Sequence, residues 1–126
     1  MSDRTFHVTI AEASRELTPY EKVKFKDLTD AVKIDSVAEE GFEINPDFYV
    51  VLDVVNEKSK DNPKYKNYVV VDKDGTKYVT GSQSFWNAFT DIFGDMAEFS
   101  TDYAVRVYRR ESKNYTGKYF LTCSLV

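Results

Sequence analysis

The 126-residue sequence has one cysteine, Cys123, and one histidine, His7. A single cysteine can neither staple a fold nor build a thiolate metal site. With no leader-like segment and no long apolar run, it points to a reducing, cytosolic compartment and no membrane role. His7 sits in a strand-like stretch with no paired cysteine or nucleophile, so it reads as structural. Glycine-rich phosphate loops are missing, and so is a Ser/His/Asp set with suggestive neighbours. Asp72-Lys73-Asp74-Gly75 resembles the start of a calcium loop but lacks the third acidic ligand and the closing glutamate. No catalytic residue, metal or cofactor is therefore expected, and the protein is not expected to be an enzyme.

With 42% hydrophobic residues, the chain is long enough to bury a core as one compact domain without disulfides or metal. Its net charge of −4 hides an asymmetry. Residues 1–47 carry 6 Lys/Arg against 11 Asp/Glu, whereas residues 48–126 carry 11 against 10. Because physiological salt confines charge effects to about 8 Å, local balance matters more than the total.

One pattern occurs twice. Lys58-Ser59-Lys60-Asp61-Asn62 with Lys64-Tyr65-Lys66-Asn67-Tyr68 is echoed by Glu111-Ser112-Lys113-Asn114-Tyr115 with Gly117-Lys118-Tyr119-Phe120. Lysine supplies charge for phosphates, tyrosine a π-face for bases, and asparagine donors and acceptors, which together suit single-stranded nucleic acid. Charge runs of this kind also occur as ordinary solvated surface.

Periodicity sets where these stretches fall. Phe48 to Val55 is a β-branched run whose nearly continuous apolar character predicts a strand covered on both faces. Asn67 to Val71 and Thr76 to Thr80 flank Asp74-Gly75, a hairpin signal. From Ser82 to Glu98 the period lengthens to about 3.6, with Phe85, Phe89, Ile92 and Met96 on one stripe widened by Trp86 and Phe93, which predicts a buried amphipathic helix. Tyr103 to Arg110 and Lys118 to Leu125 predict two more strands. The order of three strands, a helix and two strands is that of the OB-fold, a five-stranded Greek-key barrel. Its first and last inter-strand loops flank the oligonucleotide-binding face, and both lysine-rich stretches fall in those loops.

Residues 1–47 read as an N-terminal extension of this single domain, ahead of a barrel core at 48–126. Thr5 to Ile10 alternates like a strand, Thr18-Pro19-Tyr20-Glu21 resembles a capping box opening a short helix, and Ala31 to Ile34 suits another short strand. Asp35 to Glu43 reads as a loop, followed by a turn at Asn45-Pro46. The extension either docks on the basic loops of a second protomer, giving a homo-oligomer, or covers one end of the barrel.

Strand alternation assigns faces. Tyr103, Val105 and Val107 share one side of their strand, leaving Arg106, Tyr108 and Arg110 on the other. Tyr119, Leu121, Cys123 and Leu125 are expected in the core, with Phe120, Thr122 and Ser124 opposite. Tyr68 and Tyr78 extend the exposed surface, whereas Trp86 belongs to the core. Lys58, Lys60, Lys64, Lys66, Arg106, Arg109, Arg110, Lys113 and Lys118 are the candidate phosphate contacts. Tyr65, Tyr68, Tyr108, Tyr115 and Phe120 are the candidate stacking rings. For any single ring, packing in the core or at its rim is the competing role.

Three blocks carry a resemblance: Glu16-Leu17-Thr18 through Lys33-Ile34-Asp35, Asn67-Tyr68-Val69-Val70-Val71-Asp72 through Ser82-Gln83-Ser84-Phe85-Trp86, and Ser112-Lys113-Asn114-Tyr115 through Thr122-Cys123-Ser124. The sequence resembles small proteins encoded by bacteriophages and conjugative elements of Gram-positive bacteria. That resemblance implies a single-stranded DNA-binding protein of OB-fold type serving replication, recombination or transfer in the cytoplasm of a bacterial host. Housekeeping bacterial single-stranded DNA-binding proteins end in an acidic recruitment tail. The strand-like Leu125-Val126 departs from that pattern, so recruitment through such a tail is not expected. Two other readings stay open: an OB-like barrel that binds a protein partner through a strand edge or hydrophobic rim, and a single-stranded RNA binder of the same fold.

Overall fold

The computed structural model describes residues 6–27, 30–37, 41–56, 64–99, 102–111 and 119–126. Among them the elements run β1 (Phe6–Ala13), α1 (Pro19–Phe25), β2 (Val32–Lys33), α2 (Ile34–Val37), β3 (Phe42–Ile44), β4 (Pro46–Asn56), β5 (Lys64–Asp72), β6 (Lys77–Thr80), α3 (Gln83–Met96), β7 (Val105–Glu111) and β8 (Tyr119–Leu125). The protein is mainly β with one core helix, as the periodicity predicts.

The β-branched run of β4 is the spine of the fold because both of its faces are buried. Five strands form one sheet in the order β1-β4-β5-β6-β2, and a second sheet has the order β3-β7-β8. On the outer face of the larger sheet, Phe48, Val50, Leu52, Val69, Val71 and Val79 pack against Leu17 and Phe25. On the inner face, Val51, Tyr68 and Val70 meet α3 and the smaller sheet, where Val105, Val107, Leu121 and Cys123 are buried. Ser82 caps α3 by accepting from the Phe85 amide, and the helix inserts Phe85 and Phe89, both 0% exposed, between the sheets.

The N-terminal region is built into this arrangement. β1 pairs antiparallel along β4 from Phe6↔Asn56 to Ala13↔Val50, with a bulge between Ile10 and Glu12. The expected capping box is present: Thr18 Oγ1 accepts from the Glu21 amide at 3.1 Å, and Glu21 Oε1 accepts from the Thr18 amide at 2.9 Å. Hydrogen bonding from Arg15, with help from the Thr18 amide, holds the Glu21 carboxyl down at about 2. Phe25 meets Phe48 edge-on at 5.8 Å, which seats α1 on the sheet.

Two expectations are corrected. Asp35 to Glu43 is not simply a loop, because Asp35 lies in the helical turn α2 and β3 pairs antiparallel with β7 from Phe42↔Val107 to Ile44↔Val105. Ile34 and Ile44, 0% and 1% exposed, anchor these short elements in the core. The two sheets also do not close into one barrel among the described residues, since no ladder joins β6 to β8. There Ser84 Oγ instead donates to the Leu121 carbonyl at 2.8 Å, and β6 takes β2 as its parallel neighbour. No helix among the described residues is long and apolar enough to cross a membrane.

Only Asn45 separates β3 from β4, so the chain passes there from one sheet to the other. That crossing is held by Asp72, which is 7% exposed. Its Oδ2 accepts from the Asn45 amide at 2.9 Å and its Oδ1 from the Asp74 amide at 3.0 Å. The Lys73 amide donates to the Asn45 carbonyl at 2.9 Å, and the Gly75 amide donates to the Asp72 carbonyl at 2.8 Å. Gly75 has φ of 93°, a left-handed value that glycine takes without strain and that closes the expected β5–β6 hairpin. In Asp72→Asn one of the two acceptors becomes an amide nitrogen facing a buried N–H, which should cost about 1–3 kcal/mol. Chemical denaturation reads this as a lower midpoint; an unchanged midpoint would remove Asp72 from the role.

Candidate functional site

Three clefts occupy the ends of β5 and β8 and the edge of β6, and they share residues. The first, about 430 Å³, lies between the start of α3 and β8 and is lined by Asp35, Ser82, Ser84, Arg109, Tyr119 and Phe120, among others. A second, about 330 Å³, runs over Tyr65, Asn67, Thr80 and Gly81, with Lys33, Asp35 and Ser36 along its side. The third, about 440 Å³, wraps the end of β5 and is lined by Lys64, Tyr65 and Lys66 with Thr9, Asp53 and Val55. Asp35 joins the first two and Tyr65 joins the last two.

Local structure explains these positions. β4–β5 pairing sets Asp53 opposite Lys66 and Val54 opposite Tyr65, so Lys64 and Lys66 fall on one face of β5, with Tyr65 and Asn67 on the other. β6 pairs with β5 only from Tyr68 to Val71, and beyond that ladder Tyr65 lines both the second and the third cleft. In β7, alternation puts Arg109 on the side of Val105 and Val107, but beyond the hydrophobic core, so its guanidinium turns to α2. Arg109 Nη2 donates to the Asp35 carbonyl.

Charge in the clefts is mixed. Lys66 Nζ and Asp53 Oδ1 pair at 2.7 Å, and the Asp53 hydrogen bond raises the lysine pKa. Both side chains are about half exposed, at 52% and 46%, so the pair is weak and easily exchanged for another anion. Asp35 Oδ1 accepts from Thr80 Oγ1 at 2.6 Å. Among the described residues, no group of three or more His, Cys, Asp or Glu side chains could hold a metal ion.

Arg109, Phe120, Lys64, Tyr65 and Lys66 thus line the joined clefts. Lys58, Lys60, Lys113, Tyr115 and Lys118 lie outside the described residues. The described residues that flank those two segments are Asn56, Lys64, Glu111 and Tyr119. Arg106, Tyr108 and Arg110 are elsewhere, on the outer face of the smaller sheet. Tyr108 Oη and Ser124 Oγ are 2.7 Å apart there, and the Arg106 guanidinium approaches Gly41, where an added Cβ would stand 3.0 Å from Nη2.

Tyr68 is not exposed as expected but 4% exposed. Its ring stacks on Trp86 at 4.6 Å and its hydroxyl donates to Gln83 Oε1 at 2.7 Å, because the neighbouring α3 covers this part of β5. Tyr78, half-buried, stacks on Phe42 at 5.3 Å instead of extending a free surface. Conversely, Tyr119 and Leu125 are 64% and 48% exposed, although alternation assigns them to the core. Both lie on the core-facing side of β8, but buried packing covers only Leu121 and Cys123. Tyr119, Lys33 and Asp35 therefore join the candidate site; only Tyr119 belonged to the repeated lysine, asparagine and tyrosine pattern.

The chain matches no known protein family, no curated protein and no solved structure. Which face of β8 turns inward can be checked chemically. Burial pushes the Cys123 thiol up to about 12, so a disulfide reagent at neutral pH should leave it unmodified in the native protein and react once denaturant is added. Rapid native labelling would mean that β8 presents Cys123 outward and Phe120 inward.

Proposed function

We propose that this protein binds single-stranded DNA with little sequence preference, using an open form of the OB-fold. The observation that carries this reading is the chain of three clefts that begins at Arg109, Tyr119 and Phe120 and ends at Lys64, Tyr65 and Lys66. Lys64, Tyr65 and Lys66 belong to the first lysine-rich segment and Tyr119 and Phe120 to the second, so described residues of both segments line this chain of clefts. β4, β5, β6, α3, β7 and β8 have the OB-fold order, and the path of β3 and β4 through both sheets is how a strand shared by the two halves of a barrel would run.

The chemistry fits a flexible polyanion with flat bases. Arg109 and Lys64 are exposed cations for phosphates, and Lys66 can exchange Asp53 for a phosphate oxygen. Tyr65, Tyr119 and Phe120 line the clefts and offer rings there for stacking, which tolerates any base. Duplex DNA would leave those rings unused. The resemblance to proteins of phages and conjugative elements favours DNA and a role in replication, recombination or transfer; RNA shares the phosphate and stacking chemistry.

Fluorescence anisotropy with a labelled single-stranded oligonucleotide tests the proposal. Affinity should fall with salt at a log-log slope of about −0.7 for each phosphate neutralised. Tyr65→Ala or Tyr119→Ala should each cost about 1–3 kcal/mol of binding when a base stacks on that ring. Arg109→Ala should flatten the salt slope by about one phosphate's share. Unlabelled RNA of matched sequence should compete less well than DNA. Absence of saturable binding to both oligo-dT and oligo-dC at low salt would end the proposal.

A further inference from the structure

The central groove residue has the wrong charge for a phosphate. Asp35 is exposed and belongs to the linings of both the first and the second cleft, so a strand passing from one to the other runs beside it. The carboxylate is fixed from behind, where Thr80 Oγ1 donates to Oδ1 at 2.6 Å. Thr80 is itself 5% exposed and accepts from the Ser82 amide at 3.1 Å through the same Oγ1, so its hydroxyl proton is directed to Asp35. Arg109 grips the backbone of the same residue through the Asp35 carbonyl, which stops α2 from turning the side chain away. Oδ2 has no hydrogen-bond partner among the described residues.

We infer that Asp35 is a base-reading residue whose free carboxylate oxygen accepts from a base amino group, giving the protein a preference for cytosine over thymine. This inference rests on the single-stranded nucleic-acid reading above. An ionised carboxylate offers only acceptors. It repels phosphate, so the phosphates run along the rim, where Arg109, Lys33, Lys64 and Lys66 stand, and the bases turn toward Asp35. Cytosine presents its N4 amino group as a donor, whereas thymine presents the O4 acceptor at the same ring position. The two pyrimidines are alike in size and both offer a ring for stacking, so the groove distinguishes them mainly by this hydrogen bond. Purines carrying an amino group satisfy the same acceptor, and the contrast between the pyrimidines isolates it from differences in stacking area.

The experiment compares oligo-dC and oligo-dT of equal length by anisotropy at pH 7.5 and fixed salt, with wild-type protein and with Asp35→Asn. The wild-type protein should bind oligo-dC roughly five- to tenfold more tightly, the discrimination expected from one charge-assisted hydrogen bond. Asp35→Asn keeps the side chain's shape and an oxygen for Thr80 but adds an N–H donor. It should therefore tighten binding to oligo-dT and bring the ratio to about one. Equal wild-type affinity for the two oligonucleotides overturns the inference without touching the binding proposal. So does a preference for oligo-dC that persists unchanged in a folded Asp35→Asn protein, since another residue would then read the base. Binding of neither oligonucleotide overturns the nucleic-acid reading and, with it, this inference.

Discussion

One buried carboxylate ties the two sheets together. Asp72 sits at the end of β5, where it shapes the turn into β6 and at the same time accepts from Asn45, the residue between β3 and β4. The hairpin and the crossing point therefore cannot move independently. Each of these hydrogen bonds replaces a water contact and is individually modest, but a buried acceptor without them would cost more than it gains. Because β3 pairs with β7, which in turn pairs with β8, the geometry at Asn45 bears on how far the smaller sheet opens from the larger one. The clefts lie toward the other end of that opening.

A second constraint is the aromatic packing of α3. Trp86 takes Tyr68 face to face at 4.6 Å and Tyr49 edge-on at 5.0 Å, while Phe89 and Phe93 also meet the Tyr49 ring. These contacts fill the space that a closed barrel would fill with side chains from its own strands. They also explain the division of labour along β5. Val69 and Val71 pack on the outer face, Tyr68 is sealed under the helix, and only the residues before it reach solvent.

Much of this was legible in the sequence. The period change after Ser82 located α3, Asp74-Gly75 located the β5–β6 turn, and Thr18 with Glu21 located the start of α1, because each is a local pattern whose physics is complete within a few residues. β3 and α2 were not legible for the opposite reason. Three residues at Phe42 to Ile44 become a strand only because β7 lies beside them, and Ile34 becomes core only because the sheets meet over it. The site was read less well than the fold. Alternation tells which side of a strand a residue takes but not where along the strand the core ends. Tyr119 is exposed and Tyr68 is buried although each follows its own strand's alternation, since the covering by α3 decides both.

The same limit applies to charge. The lysine-rich pattern supplies cations for phosphates, and the clefts interleave those cations with Asp35 and Asp53. A ligand in contact with the residues lining these clefts would meet carboxylates and ammonium groups at separations shorter than the roughly 8 Å screening length, so their arrangement matters more than their sum. A wholly basic groove would hold a strand by its phosphates in any orientation. Cations at the rim with a carboxylate between them would favour one orientation of a bound strand, phosphates outward and bases inward, and that orientation would bring the bases to Tyr65 and Tyr119. The acidic residues in the clefts are therefore compatible with binding a polyanion, and they would set which side of it faces the protein.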